Sequence, residues 1–152
     1  MAQYTVMVNG GTLTTAATKS LILLNPATVP FRVFQISVSL DNVTTDAEPV
    51  QFDLYRVVTI GSAAGTTSTP TPLDETDPAT AQTTALTTLT TEPTTVTVID
   101  GWYVTPHSGL FVVQFPLGRE PKAKGAGARI GLRYVTASGV TPKANATLYF
   151  EE

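Results

Sequence analysis

His107 is the chain's one histidine and cysteine is absent, so catalysis of the Ser-His-Asp kind would have to run through a single imidazole. That residue sits in Thr105-Pro106-His107-Ser108-Gly109, which has the composition of a turn, and no G-x-S-x-G elbow occurs. Asp74, Glu75 and Asp77 could offer oxygens to calcium. They lack the D-x-D-x-D-G spacing and distant glutamate of a calcium loop, and read as a solvated acidic loop. Lys122, Lys124 and Arg129 stand on a glycine-rich stretch without the G-x-x-x-x-G-K-[ST] pattern of a phosphate cradle. The stretch reads as a connection with solvated lysines, or as a contact loop facing acidic surface on a partner. Trp102-Tyr103 is the densest aromatic pair, suited to a core or to a sugar-stacking platform. Zero cysteine removes disulfides, Cys-ligated zinc and thiol nucleophiles. The expectation is a protein that is not an enzyme and uses no cofactor or metal. Its candidate protein–protein contacts are Trp102, Tyr103, Arg119, Glu120, Lys122 and Lys124, with Arg119 and Glu120 pairing between subunits at an exposed rim.

The elements that must carry these residues read as strands. Of 152 residues, 28 are threonine, a β-branched residue that fits a pleated, half-exposed surface better than a helix. Such a chain implies a rigid β structure whose outer face uses hydroxyls. Eight or nine strands are expected, bounded by Asn-Gly-Gly, Asn-Pro and Asp-Asn turns. Ten candidate segments supply them: Tyr4–Val8, Ser20–Leu24, Phe31–Leu40, Val50–Ile60, Ala85–Leu89, Thr94–Ile99, Trp102–Thr105, Leu110–Phe115, Arg129–Val135 and Ala144–Phe150, with Thr12–Lys19 a small-residue stretch between the first two. In Phe31–Leu40 the alternation puts Phe34, Ile36, Val38 and Leu40 inward, and in Val50–Ile60 it leaves Arg56 on the apolar parity. Gly61 to Thr80, with its three prolines, reads as a long irregular loop of the kind that serves interactions. No apolar period of 3.6 persists for ten residues, so almost no helix is expected. The fold class that follows is all-β: a single antiparallel β-sandwich domain over 1–152, of jelly-roll type, with an immunoglobulin-like sandwich second. Extended arms at the termini are allowed for.

Charged residues make up 14% of the chain, against about 25% in an ordinary soluble domain. A net charge of −3 supplies no basic stripe for nucleic acid. No apolar run approaches the ~20 residues of a membrane span. Met1 to Val8, with no basic leader or apolar stretch of signal-peptide length, leads to the expectation that the protein is not exported by the Sec route. Neither nucleic acid nor membrane is expected as a partner. On the same ground the sequons Asn42-Val43-Thr44 and Asn145-Ala146-Thr147 read as chance matches.

Ordered phrases along the chain carry a resemblance. They are Thr14-Thr15-Ala16-Ala17-Thr18-Lys19, Phe31-Arg32-Val33-Phe34-Gln35-Ile36-Ser37-Val38-Ser39-Leu40-Asp41, Asp77-Pro78-Ala79 and Thr91-Glu92-Pro93-Thr94. Trp102-Tyr103-Val104, Pro116-Leu117-Gly118-Arg119-Glu120-Pro121, Arg129-Ile130-Gly131-Leu132-Arg133 and Phe150-Glu151-Glu152 complete them. Together they resemble small capsid decoration (cement) proteins and minor head proteins of tailed bacteriophages. The resemblance implies a jelly-roll-like domain, homotrimeric, made in the host cytoplasm and seated on the outer capsid surface of the virion. There it would clamp neighbouring subunits of the major capsid protein after head expansion. Two other readings remain open: another virion part (head fibre base, tail or adsorption module), and a hydrolase, which would need two converging carboxylates in a cleft.

Overall fold

The computed structural model describes residues 1–12, 18–41, 49–106, 109–135 and 143–152. Within them lie twelve strands and no helix. These are β1 (Gln3–Thr12), β2 (Lys19–Asn25), β3 (Phe31–Asp41), β4 (Val50–Thr59), β5 (Ala64–Ser68), β6 (Thr71–Pro72), β7 (Thr84–Thr91), β8 (Thr95–Val104), β9 (Leu110–Gln114), β10 (Lys122–Ala123), β11 (Ile130–Val135) and β12 (Lys143–Glu151). They form two sheets in which every pairing is antiparallel. Sheet 1 runs β10-β3-β12-β1-β6, with β9 also on the free edge of β3; sheet 2 runs β5-β7-β2-β11-β4-β8. The two pack as a β-sandwich.

Alternation explains the core. Tyr4, Val6 and Val8 of β1, Ile36 and Val38 of β3 and Ala146, Leu148 and Phe150 of β12 meet Ile22, Leu24, Phe52, Leu54, Leu132 and Tyr134 of sheet 2. Phe34 departs from the expected pattern. A bulge, at which Tyr149 faces Gln35 while Phe150 faces Val33, reverses the parity. Val33 is therefore buried, and Phe34 lies on the outer face with its ring 6.2 Å from that of Tyr149. Arg56 also escapes burial: its guanidinium reaches past the core to donate to the Lys122 carbonyl at 3.0 Å. Long cationic side chains commonly find such an exit.

Two stretches read as irregular from sequence contain strands. Within Gly61 to Thr80, β5 pairs with β7 and β6 with β1. Both are sheet-edge pieces that bury little, so no apolar alternation announces them. Asp100-Gly101 was the expected break between two strands, yet β8 runs through it. Gly101 sits there because a Cβ would come 2.8 Å from the Asp53 carboxylate on β4. The chain ends are not free arms: the Ala2 and Glu152 N–H groups donate to each other's carbonyls at 3.0 and 3.1 Å. The Glu152 carboxylate also accepts the Gln82 and Thr83 N–H groups at 2.7 and 2.9 Å.

Sheet 2 is buried on both sides where the chain bends from β4 to β5 and from β7 to β8. Leu23, Tyr55, Val57 and Leu89 form a second apolar cluster there, flanked by Ile60, Ala63, Leu86 and Val96. Tyr55 lies across Gly131 of the neighbouring strand and donates to Ser20 Oγ at 2.7 Å. Ser20 in turn gives its N–H (2.8 Å) and its hydroxyl to the Glu92 carboxylate, which fastens the β7–β8 bend to β2. Ser20→Ala leaves a buried phenol and a carboxylate short of a partner. It should cost about 1–3 kcal/mol, measurable by urea denaturation.

Candidate functional site

The Tyr55–Ser20–Glu92 chain has the ingredients of an activated hydroxyl but cannot serve as one. Ser20 and Tyr55 are fully buried, so no substrate oxygen or carbonyl can approach. Burial also pushes the Tyr55 phenol far above its ordinary pKa, more than the Ser20 hydrogen bond lowers it, and the phenol stays a donor at any working pH. Among the described residues no three His, Cys, Asp or Glu side chains gather as a metal site would require. His107 and Asn42-Val43-Thr44 lie outside the described residues. Asn145 is on β12, where its amide oxygen accepts the Gly10 N–H at 2.7 Å.

Of the candidate contact residues, Tyr103, Arg119, Lys122 and Lys124 lie exposed along one lateral edge, where β8 of sheet 2 meets β9 and β10 of sheet 1. Alternation along β8 splits the aromatic pair. Trp102 turns in, packs on the core and lies 6.2 Å from the Phe111 ring of β9. Tyr103 turns out and is 72% exposed. On β9, Phe111 faces inward while Leu110 (67% exposed) and Val112 face solvent. Val98 and Ile99 of β8 are exposed as well, and Leu117 is 86% exposed at the tip of the following turn. The Arg119 N–H closes that turn onto the Pro116 carbonyl at 2.9 Å, with Gly118 at φ +86, a conformation that suits glycine. Arg119, Lys122 and Lys124 are all exposed beside it, and Lys122 belongs to β10, opposite Arg32, and not to a flexible loop.

Glu120 does not join this rim. It is 7% exposed and faces Arg32 at 3.6 Å, while accepting the Gly118 N–H at 2.8 Å. Arg32 also holds Glu151, so one guanidinium ties the β9–β10 turn and β12 to β3. The expected Arg119–Glu120 pair between subunits is thus replaced by a pair within the chain, because the tight turn points the two side chains apart. The Glu120 backbone N–H, then that of Gly118, then the Arg32 charge hold its carboxyl below the ordinary 4.5 against the opposing effect of desolvation. A carboxyl whose pKa is lower folded than unfolded stabilises the fold above the unfolded value. That contribution fades as pH falls through the folded value. Glu120→Gln should therefore be less stable than the parent at neutral pH, and its melting temperature should fall less between neutral pH and acid below 4.5. Parallel acid limbs would refute the assignment.

Sequence reasoning missed Val98, Ile99, Leu110, Val112 and Leu117. The signal was present in Leu110-Phe111-Val112-Val113, which is apolar on both parities and so must leave one apolar face outside a two-layer fold. Comparison with known protein families, with curated proteins and with solved structures gave no match to this chain.

Proposed function

We propose that the protein is a non-enzymatic bacteriophage capsid decoration protein. In this reading it binds the outer surface of the expanded head through its β8–β9–β10 edge and stabilises contacts between major capsid subunits. One observation carries the reading. Of the ten exposed large apolar side chains among the described residues, six (Val98, Ile99, Tyr103, Leu110, Val112 and Leu117) fall on this single edge. Exposed apolar side chains gathered along one edge of a sandwich in this way mark an interaction site. The flanking cations Arg119, Lys122 and Lys124 suit a partner with an acidic rim, and they steer encounter more than they add affinity.

The jelly-roll assignment belongs to the same proposal. It is supported by the pairing of β1 with β12, β2 with β11, β3 with β9 and β4 with β8. Sheet 1 contains the run β9-β3-β12-β1 and sheet 2 the run β2-β11-β4-β8, the strand orders of two interleaved Greek keys. In this frame β5, β6 and β7 are an insertion between the fourth and fifth strands of the roll. The homotrimer rests on the sequence resemblance.

Co-sedimentation with expanded, undecorated heads tests the proposal. Binding should saturate at a fixed ratio to the capsid subunit and weaken as salt screens the rim. Absence of binding to heads, with labelling of the tail in intact particles, would replace it by the tail or adsorption reading.

A further inference from the structure

We propose that a groove at the opposite edge of sheet 1 binds a neutral saccharide. The β5–β6 connection stands beside the outer face of β1 and β12, and between them lies a groove of about 460 Å³, within the range of small-molecule sites. On sheet 1 strand β3 lies between β12, which lines the groove, and the β9–β10 edge, so the two surfaces are distinct.

Six hydroxyls line the groove, from Thr5, Ser68, Thr69, Thr71, Thr147 and Tyr149, and no charged side chain does. Several threonine hydroxyls outside the groove are engaged by the chain itself. Thr76 donates to Asp74, Thr84 to the Asn25 carbonyl, Thr87 to the Thr66 carbonyl and Thr90 to the Ala64 carbonyl. None of the six groove hydroxyls bonds to another protein group among the described residues.

Register makes the array rigid. Thr71 pairs with Thr5 and Thr5 with Tyr149, which places three hydroxyl-bearing side chains in one row across three strands, and Met7 pairs with Thr147 in the next row. Neighbours within such a row sit roughly 4.8 Å apart from strand to strand. Each hydroxyl both donates and accepts, as sugar hydroxyls do, so either partner can supply the proton. The Tyr149 ring, with Met7 and Leu73, offers apolar surface for the C–H face of a pyranose.

The charge pattern selects against acidic ligands. The wall runs on from Leu73 into Asp74, Glu75 and Asp77, and Asp77 accepts the Gln3 N–H at 2.9 Å at the start of β1. The N–H and then the hydroxyl of Thr76 hold the Asp74 carboxyl below its ordinary value, so this rim stays negative in mild acid. A uronate or sugar phosphate would meet repulsion there and no cation in the groove.

The test is an amide-shift titration of the ¹⁵N-labelled full chain with maltose, cellobiose and lactose, and with digalacturonate as the anionic counterpart. At least one neutral disaccharide should bind with a Kd of roughly 1 mM, with shifts confined to the residues that line the groove. The double variant Thr5→Val/Thr147→Val keeps shape and removes two hydroxyls, and should weaken binding about tenfold or more. Unchanged shifts elsewhere report that it is folded. Should that variant be unstable, Met7→Asp places a charge on the exposed rim and should abolish binding equally. No shift with any neutral disaccharide at about 50 mM, shifts centred on the β8–β9 edge, or digalacturonate binding as tightly would each overturn the proposal.

Discussion

Replacing Gly131 by alanine should destabilise the fold by about 3 kcal/mol, at the upper end for one added methyl group. Gly131 lies on β11, between β2 and β4 in the middle of sheet 2, directly opposite Tyr55. A Cβ there would overlap the phenol oxygen and stand 2.5 Å from Tyr55 Cζ and 2.8 Å from Cε1. The ring has nowhere to go. It is fully buried among Leu23, Val57 and Leu89, its hydroxyl is held by Ser20, and the Arg133 guanidinium sits 5.4 Å from its centroid. Arg133 is itself held by Asp53 at 3.2 Å. A double-mutant cycle isolates the cause. Tyr55→Ala alone should cost about 3–5 kcal/mol, and adding Gly131→Ala to it should cost little more, since the clash has gone. Additive losses in urea denaturation would show that the glycine serves something other than the tyrosine.

Charging the apolar edge should separate function from folding. In Tyr103→Asp/Val112→Asp both new carboxylates stand in solvent, because both parent side chains are exposed on edge strands of their sheets. Surface substitutions of this kind usually change stability by less than ~0.5 kcal/mol each. At the centre of a desolvated contact the same two charges would be unpaired, and affinity for expanded heads should fall at least about 100-fold. Arg119→Ala on the rim should slow association and flatten the salt dependence with a much smaller loss of affinity. A Tyr103→Asp/Val112→Asp protein that decorates heads as the parent does would remove the β8–β9 edge from the interface.

Much of the scaffold was legible because burial writes itself into alternation. Phe31–Leu40 and Val50–Ile60 gave β3 and β4 nearly to the residue, and the scarcity of any helical period excluded helices. What escaped was whatever depends on the neighbour and not on the strand. Phe34 was assigned inward because a bulge on β3 cannot be seen without β12. The gap left at Asp100-Gly101, between Thr94–Ile99 and Trp102–Thr105, falls on a glycine that is there to clear Asp53. Strands β5 and β6 are short, threonine-rich edges whose exposure leaves no apolar pattern to detect.

The candidate site divides in the same way. Tyr103 was recoverable, since a Trp-Tyr pair in a strand must send one ring in and one out. Glu120 was not, because its partner Arg32 is 88 positions away and only the sheet brings them together. The hydroxyl row of Thr71, Thr5 and Tyr149 likewise joins residues from three distant stretches, so composition announced a hydroxyl-bearing surface without saying where it would concentrate.

The central claim is most directly tested by the disruption temperature of expanded, undecorated heads, recorded calorimetrically with and without the purified protein. A ligand that binds the assembled shell and not its dissociated subunits must raise that temperature by mass action. The account predicts a rise that grows with protein concentration, saturates at a fixed stoichiometry and is absent with Tyr103→Asp/Val112→Asp. An unchanged disruption temperature at saturating protein would contradict it.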